Sequence, residues 1–288
     1  MNRVNRLKLK KDREGQASVV GTIMAIMIML AFLSLITTQY VPISMTQYEA
    51  QHMNDVVSDF SNLRQNIDNL MIMEQTSMGM FSAMSMGTNH VPVFTAPTSS
   101  RLTFTPWHMS ANITFDSSTD GVIETVTESG SGSVDLFSAN RYYVPQSVIY
   151  ENAAIIIRQE NIQSVRANPH FDIDGDRLLV SLVTLIGPPS SYTGTETVGI
   201  QTFLHATDTW EYQNVSGDVR YTKITRNTDA WHGFFNNSMA GVTLEEVSPP
   251  ANPFSTSAED GYGRVVVSIS GINSVVLTTS TVRVTMGA

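Results

Sequence analysis

The 288-residue sequence contains no cysteine, and this absence excludes several classes of protein. Without thiols the chain has no disulfide framework, no thiolate metal site and no cysteine nucleophile. An exported protein of this composition is held together by packing and hydrogen bonding alone. After about seventy N-terminal residues, the remaining length suits one large domain with its own core.

Basic residues are scarce outside the N-terminus. Residues 1–15 carry a net charge of +4, whereas the rest of the chain carries −13. A protein that binds nucleic acid needs a basic surface to meet the phosphates. The acidic body therefore disfavours a nucleic-acid partner.

Charged residues of either sign are missing between Gln16 and Tyr48, and the stretch from Val19 to Ile36 is almost continuously apolar. As a helix, residues 19–36 would rise about 27 Å, close to the ~30 Å hydrocarbon core of a bilayer. The basic cluster before this run places residues 1–15 in the cytoplasm by the positive-inside tendency. The sequence thus predicts a single-pass membrane protein with its body outside the cell.

The order of basic leader, glycine and apolar helix differs from that of an ordinary secretory signal, whose cleavage site follows the apolar region. The junction "REG" before "QAS" resembles the class III signal of type IV pilins and archaeal pilin-like proteins. The resemblance implies that prepilin peptidase cuts between Gly15 and Gln16 and that the helix is retained and packs with other subunits. Many family members carry Glu at the fifth mature position, where this chain has Val20. That departure leaves filament formation open and favours a minor subunit, and an uncleaved signal anchor is the alternative to processing.

A second apolar pattern follows the predicted membrane span. Its residues are spaced three and four apart, as in a helix with one apolar face; they are Met53, Val56, Phe60, Leu63, Ile67 and Leu70. Residues 16–70 are therefore predicted to form one stem helix about 80 Å long, with a kink or short break at Pro42. Close packing of the apolar half on neighbouring helices would use small residues, namely Ala17, Ser18, Gly21, Ala25 and Ala31.

Residues 91–288 alternate in period two between turn signals, which predicts an antiparallel β-sandwich head. The methionine-rich residues 71–90 are predicted to be a frayed helix end leading into it. One short helix is expected at 229–239, with Thr228 or Asp229 as its cap. Within the head, "NRYYVPQSVIYENAAIIIRQ" at 140–159 resembles a strand pair of archaeal pilin-like proteins. The fold class is α+β, a long N-terminal helix followed by β-sheets.

Few residues in the head suggest chemistry. Three sequons, at Asn112, Asn214 and Asn236, are candidate glycosylation sites if the head is extracellular. Asp172, Asp174 and Asp176 surround Gly175 and are weak candidates for calcium ligands, but the spacing fits a solvated Asp-Gly turn better than an EF-hand. The histidines lack metal-ligand spacing, and no nucleophile elbow or phosphate loop is present. No enzyme activity and no cofactor are predicted.

Three functions remain after these observations. The leading hypothesis is a structural subunit, major or minor, of a pilus-like surface filament. The second is a monomeric membrane-anchored domain that binds or adheres to something outside the cell. The third is a surface hydrolase whose catalytic residues come from distant strands, which sequence motifs do not reveal.

Overall fold

The computed structural model of the protein describes residues 3–88, 91–92, 95–119, 121–160, 162–238, 241–249 and 261–287, with side chains from Ser18 onward except those of Thr119 and Ser238. The chain begins with a long helix and continues as a β-rich head. The α+β class predicted from the sequence is confirmed.

The N-terminal helix has two α-helical parts, α1 (Arg3–Leu35) and α2 (Val41–Met73). They are joined by a π-helical turn, Ile36–Tyr40, in which the amide of Val41 donates to the carbonyl of Ile36. Pro42 cannot donate a backbone hydrogen bond, and its ring crowds the preceding turn. The wider π-helical turn makes room for the proline ring. The break predicted at Pro42 is therefore a local change of helical hydrogen bonding, and the helix continues through it.

The remaining elements are short strands and one helix. Their bounds are β1 Gly79–Met84, β2 Ser100–Thr105, β3 Ala111–Thr119, β4 Val122–Gly130, β5 Ser133–Ser138, β6 Gln146–Glu151, β7 Ala154–Gln159, β8 Gln163–Ala167, β9 Phe171–Asp174, β10 Arg177–Ile186, β11 Ser190–Gly194, β12 Val198–Gln213, β13 Val215–Thr225, α3 Thr228–Ser238, β14 Val242–Ser248, β15 Gly263–Ile269 and β16 Ser274–Gly287. The helix predicted at 229–239 is thus confirmed as α3.

The strands form three sheets. The first sheet has the order β1-β12-β16-β10-β9, the second β11-β2-β5-β6-β7-β8 and the third β14-β15-β13-β3-β4. All pairings are antiparallel except that of β10 with β16. The head is therefore mainly antiparallel, as predicted, with three sheets where a simple sandwich has two.

The head has two hydrophobic cores, and the third sheet packs in the second of them. The first core lies between α2 and the first and second sheets, and the second core lies around α3 and the third sheet. The long strand β16 contributes to both, with Val282 and Val284 in the first core and Val275 and Leu277 in the second. A strand of this length extends beyond one core, so its two ends bury different faces.

The methionine-rich bridge differs from its prediction. The helix continues to Met73, and Gly79–Met84 form β1, which pairs with β12 at the edge of the first sheet. Met84 and Met86 are buried in the first core. Flexible thioether side chains fill irregular apolar space well, so this segment is part of the head. Residues 89 and 90, at its end, lie outside the described residues.

Candidate functional site

The N-terminal helix is the feature of the chain most clearly adapted to a particular environment. Ser18–Met73 is the one helix in the described residues that is long and apolar enough to cross a membrane. No residue of its most apolar stretch is buried against the head. The side chains from Ser18 to Tyr40, the apolar segment, are almost all exposed. Such a surface is stable only in lipid or against other apolar helices.

The small residues of the apolar segment lie on this free surface. Gly21, Ala25 and Ala31 are exposed, and a Cβ atom added at Gly21 would meet no other group within 4 Å. Gly21 and Ala25 are one helical turn apart and therefore share a face. Another helix can approach closely there, as small residues permit in membranes.

The seam of α2 lies instead inside the head. Val56, Phe60, Leu63, Ile67 and Leu70 are completely buried in the first core. They pack on the chain's own sheets, so this seam is not available to neighbouring subunits. Within the described part of the N-terminal helix, the apolar segment is the part left free for contacts with lipid or with other helices.

A buried carboxylate fixes the stem to the head just above the apolar segment. Glu49 of α2 is fully buried. Its Oε2 accepts hydrogen bonds from the amides of Tyr142 at 2.7 Å and Tyr143 at 2.6 Å. Its Oε1 accepts one from the amide of Arg141 at 3.0 Å and one from Thr98 Oγ1 at 2.5 Å. Four donors thus surround one carboxylate.

The loop after β5 is shaped to present these amides. Asn140 Oδ1 accepts a hydrogen bond from Ser138 Oγ at 2.9 Å, and its Nδ2 donates to the carbonyl of Val144 at 2.9 Å. This side chain closes the loop, so that the next three amides point toward α2. Within "NRYYV", the asparagine side chain and the backbone amides therefore form the binding site for Glu49.

The electrostatics of Glu49 favour the charged form. Burial alone would raise its pKa, but the hydrogen bonds from Thr98, Arg141, Tyr143 and Tyr142 outweigh burial and lower the pKa below the ordinary value. A carboxylate held by several amides is stabilised in the ionised state. The ionised carboxylate of Glu49 on the stem is therefore stabilised by hydrogen-bond donors of the head.

His52, one turn later, is also buried, and its Nε2 lies 3.3 Å from Ser100 Oγ of β2. Burial lowers its pKa, although the nearby Asp55, Asp59 and Glu49 oppose that effect. A neutral ring is therefore favoured. The second sheet thus contacts the stem through β2 as well as through the loop after β5.

The family comparison covers this head. The model of DUF7289, a family of unknown function, matches residues 109–285. The chain belongs to DUF7289. No curated protein and no solved structure matches the chain. The matched region runs from the loop before β3 into β16 and includes the loop that binds Glu49, whereas the stem, β1 and β2 lie outside it.

The DUF7289 region contains a second buried carboxylate that the sequence motifs did not identify. Glu151, at the end of β6, is fully buried. It accepts hydrogen bonds from Thr225 Oγ1 at 2.9 Å and 3.0 Å and from the indole N–H of Trp231. The sequence signal for this site is the single glutamate inside the apolar stretch "SVIYENAAIII", because a glutamate buried there needs hydrogen-bonding partners.

A buried lysine accompanies Glu151. Lys223 Nζ donates to the carbonyl of Met109 at 2.7 Å and lies 5.1 Å from the ring centroid of Trp231. Burial lowers the pKa of Lys223, and the charge of Glu151 opposes this. These contacts join β6, β13 and α3, and we therefore assign Glu151 and Lys223 a structural role.

The three sequons of the DUF7289 region differ in exposure. Asn214 is exposed and adopts φ +54°, where the chain passes from β12 in the first sheet to β13 in the third. Asn236 is exposed on α3, whereas Asn112 is half-buried on β3 between β13 and β4. Asn214 and Asn236 are thus the more accessible glycosylation candidates.

The aspartates around Gly175 form a hairpin turn. Asp174 of β9 pairs with Arg177 of β10, so Gly175 and Asp176 are a two-residue loop, with Gly175 at φ +65°. The Asp176 carbonyl accepts hydrogen bonds from the amides of Asn273 and Ser274. In the described residues, no group of three His, Asp or Glu side chains is arranged to hold a metal ion. The Asp-Gly turn favoured by the sequence is the observed structure.

The proposed cleavage junction lies in the N-terminal half of α1. Gly15 and Gln16 are within α1, in the part whose side chains lie outside the described residues. Val20, in contrast, is described and exposed. The junction therefore remains a sequence prediction.

Proposed function

We propose that this DUF7289 protein is a structural subunit of a type IV pilus-like surface filament, in which Val20 in place of Glu favours the role of a minor subunit. Prepilin peptidase removes residues 1–15, the apolar segment holds the mature chain in the membrane, and assembly buries that segment among the helices of other subunits. The head stays outside the cell.

One observation carries the proposal. The apolar segment lies wholly outside the head, while the helix that continues it is built into the first core. A head rigidly carried by a helix with a free apolar end is the arrangement that assembly through a helical bundle requires. The leader "REG" before "QAS" supports it from the sequence.

Assembly would proceed by packing of the apolar segments of neighbouring subunits against each other. The apolar segment has no charged group to pair with a neighbour, since Val20 stands where many pilins have Glu. Association would then rest on close contact at small residues such as Gly21 and Ala25. Glu49 would transmit force between the segment and the head, because breaking its contacts exposes a buried charge.

The first test is the intact mass and N-terminal sequence of the protein from native membranes and from sheared surface material. A chain that begins at Gln16 supports processing and the pilin-like class. A chain that begins at Met1 overturns both. Filaments that contain the protein in the sheared material would further support assembly.

The buried seam favours a second candidate, a monomeric membrane-anchored domain that binds an extracellular ligand. Because α2 uses its apolar face within its own head, the stem outside the membrane has no second apolar face for neighbours. This candidate predicts an intact Met1 and a monomer after cross-linking in native membranes.

A further inference from the structure

An open cleft lies on the face of the second sheet that points away from the first core. Its volume is about 740 Å³, within the range of small-ligand sites. Side chains alternate along the strands: Leu102 and Leu136 enter the first core, whereas Arg101 and Asp135 line the cleft. Tyr262, just before β15, lines another wall.

Three arginines converge on this cleft, although the body of the chain is acidic. They are Arg101 on β2, Arg158 on β7 and Arg226 directly after β13. Arg158 is held in place, since its Nη2 donates to Asp135 at 3.3 Å and its Nη1 to Asn227 Oδ1 at 3.3 Å. Neither Arg101 nor Arg226 forms an ion pair with a described residue.

Two arginines are instead held against aromatic rings. The Arg101 guanidinium lies 5.8 Å from the ring centroid of Phe137, and that of Arg226 lies 4.7 Å from the ring centroid of Tyr262. Stacking fixes the plane of a guanidinium and leaves its N–H groups directed sideways. Such groups are suited to bind a carboxylate in a bidentate manner.

Two polar atoms of the cleft residues have no hydrogen-bond partner among the described residues. They are Asp135 Oδ1 and Arg226 Nε, and both are buried. Buried polar atoms in native proteins are usually paired, with protein or with bound water or ligand. Asp135 and Arg226 therefore keep hydrogen-bonding capacity that the described residues do not use.

We propose that this cleft binds a carboxylate-bearing saccharide, with the acid group on Arg101 and Arg226. Thr103, Thr105, Ser133 and Ser191 line the same cleft, where Thr103 Oγ1 and Ser191 Oγ lie 3.3 Å apart, and side chains of this kind can exchange hydrogen bonds with the hydroxyls of a sugar. Asp135 adds an acceptor among the arginines. Phe137 provides an apolar surface of the kind that sugar rings contact, whereas the Tyr262 ring is stacked by His108 and Arg226. This site is independent of the assembly function proposed above.

Two other ligand classes fit the cleft less well. A peptide commonly binds a sheet by adding a strand at a free edge, but β2, β5, β6 and β7 are each paired on both sides. A nucleic acid would have to approach an acidic head, and Asp135 and Glu160 lie within the cleft itself. A ligand with one or a few carboxylates and many hydroxyls is therefore favoured.

The test uses the full-length chain in lipid nanodiscs and measures binding by isothermal titration. The probes are trigalacturonate, the neutral maltotriose and a short poly-glutamate peptide. Trigalacturonate should bind at micromolar to millimolar concentration, and maltotriose should bind more weakly. Arg101→Gln should weaken trigalacturonate binding roughly ten- to a hundredfold, the effect of one charge-assisted hydrogen bond.

Two further variants make the result specific. Arg226→Gln should produce a similar loss, whereas Arg220→Gln should have no effect, because Arg220 pairs with Glu245 on the third sheet. Arg101 is exposed, so its variant should fold, and an unchanged unfolding temperature would verify this. Absence of trigalacturonate binding, binding unaffected by Arg101→Gln and Arg226→Gln, or tighter binding of poly-glutamate would each overturn the proposal.

Discussion

Glu49 on the stem accepts a 2.6 Å hydrogen bond from the amide of Tyr143, which lies 94 residues later in the loop after β5. The contact joins the helix that is long and apolar enough to cross a membrane to the DUF7289 head. It adds an ionised side chain to the apolar contacts by which α2 packs in the first core.

Replacing Glu49 by Gln should destabilise the protein by about 2 kcal/mol, because the charge is lost and the amide NH2 group then faces backbone N–H donors. Chemical unfolding of the detergent-solubilised chain would measure the change. Glu74→Gln is the control, since Glu74 is exposed at the end of α2 and should change stability by less than about 0.5 kcal/mol. Equal effects of the two variants would contradict the role given to Glu49.

The same carboxylate should make stability depend on acid. The pKa of Glu49 in the folded protein is lowered from its ordinary value of 4.5. Its stabilisation is therefore fully present above the ordinary pKa and is lost as the pH falls through the lower folded-state pKa. Unfolding measured between neutral pH and pH values below this range should show a smaller loss of stability in Glu49→Gln than in the wild type. Parallel curves would show that other carboxylates dominate.

Replacing Leu63 by Ala should cost about 3 kcal/mol of stability in the isolated subunit, since Leu63 is fully buried in the first core and the change leaves a cavity. Ile72→Ala is the matched control on the same helix, because Ile72 is 79% exposed. Thermal unfolding of the monomer in detergent would compare them. A stable Leu63→Ala monomer would mean that the seam serves contacts between subunits instead.

Replacing Gly21 and Ala25 together by Leu should leave membrane insertion intact but reduce assembly by about tenfold, since larger side chains keep neighbouring helices apart. Cross-linking in native membranes and the yield of sheared filaments would measure this effect. Met29→Leu keeps the size of an exposed side chain on the same helix and is the control. Unchanged assembly in the double variant would remove this face from the proposed interface.

Replacing Trp231 by Phe should destabilise the head by about 2 kcal/mol, because Glu151 then loses its indole donor while remaining buried. Trp107→Phe is the matched control, since Trp107 is 69% exposed, and it should have little effect. Urea unfolding followed by circular dichroism would compare the two. A similar cost for both would show that the indole hydrogen bond adds no stability.

Glycan occupancy should follow exposure if the head is extracellular. Asn214→Gln and Asn236→Gln should each remove one glycan mass from the protein isolated from its native cells, whereas Asn112→Gln should remove none. The half-buried position of Asn112 within the third sheet leaves little room for a glycan. Intact mass spectrometry would measure this. A glycan at Asn112 would contradict the prediction.

Several elements followed directly from local patterns. The apolar run and the spacing from Met53 to Leu70 predicted the whole stem, since helical periodicity depends only on neighbours along the chain. Alternation predicted most strands, and "DAWHGFFNNSM" predicted α3. The bridge was harder: β1 lacks a clear alternation, and its partner β12 lies more than 100 residues away in the sequence.

The sequence alone determined that this chain has a basic leader, an apolar helix and a β-rich head without cysteine, because composition and periodicity are local properties. Only the tertiary structure decided that the seam of α2 is buried in the chain's own core, that Glu49 is bound by the amides after Asn140 and that three arginines meet in one cleft. Each of these contacts joins residues distant in sequence, and their pairing depends on how three sheets pack around two cores.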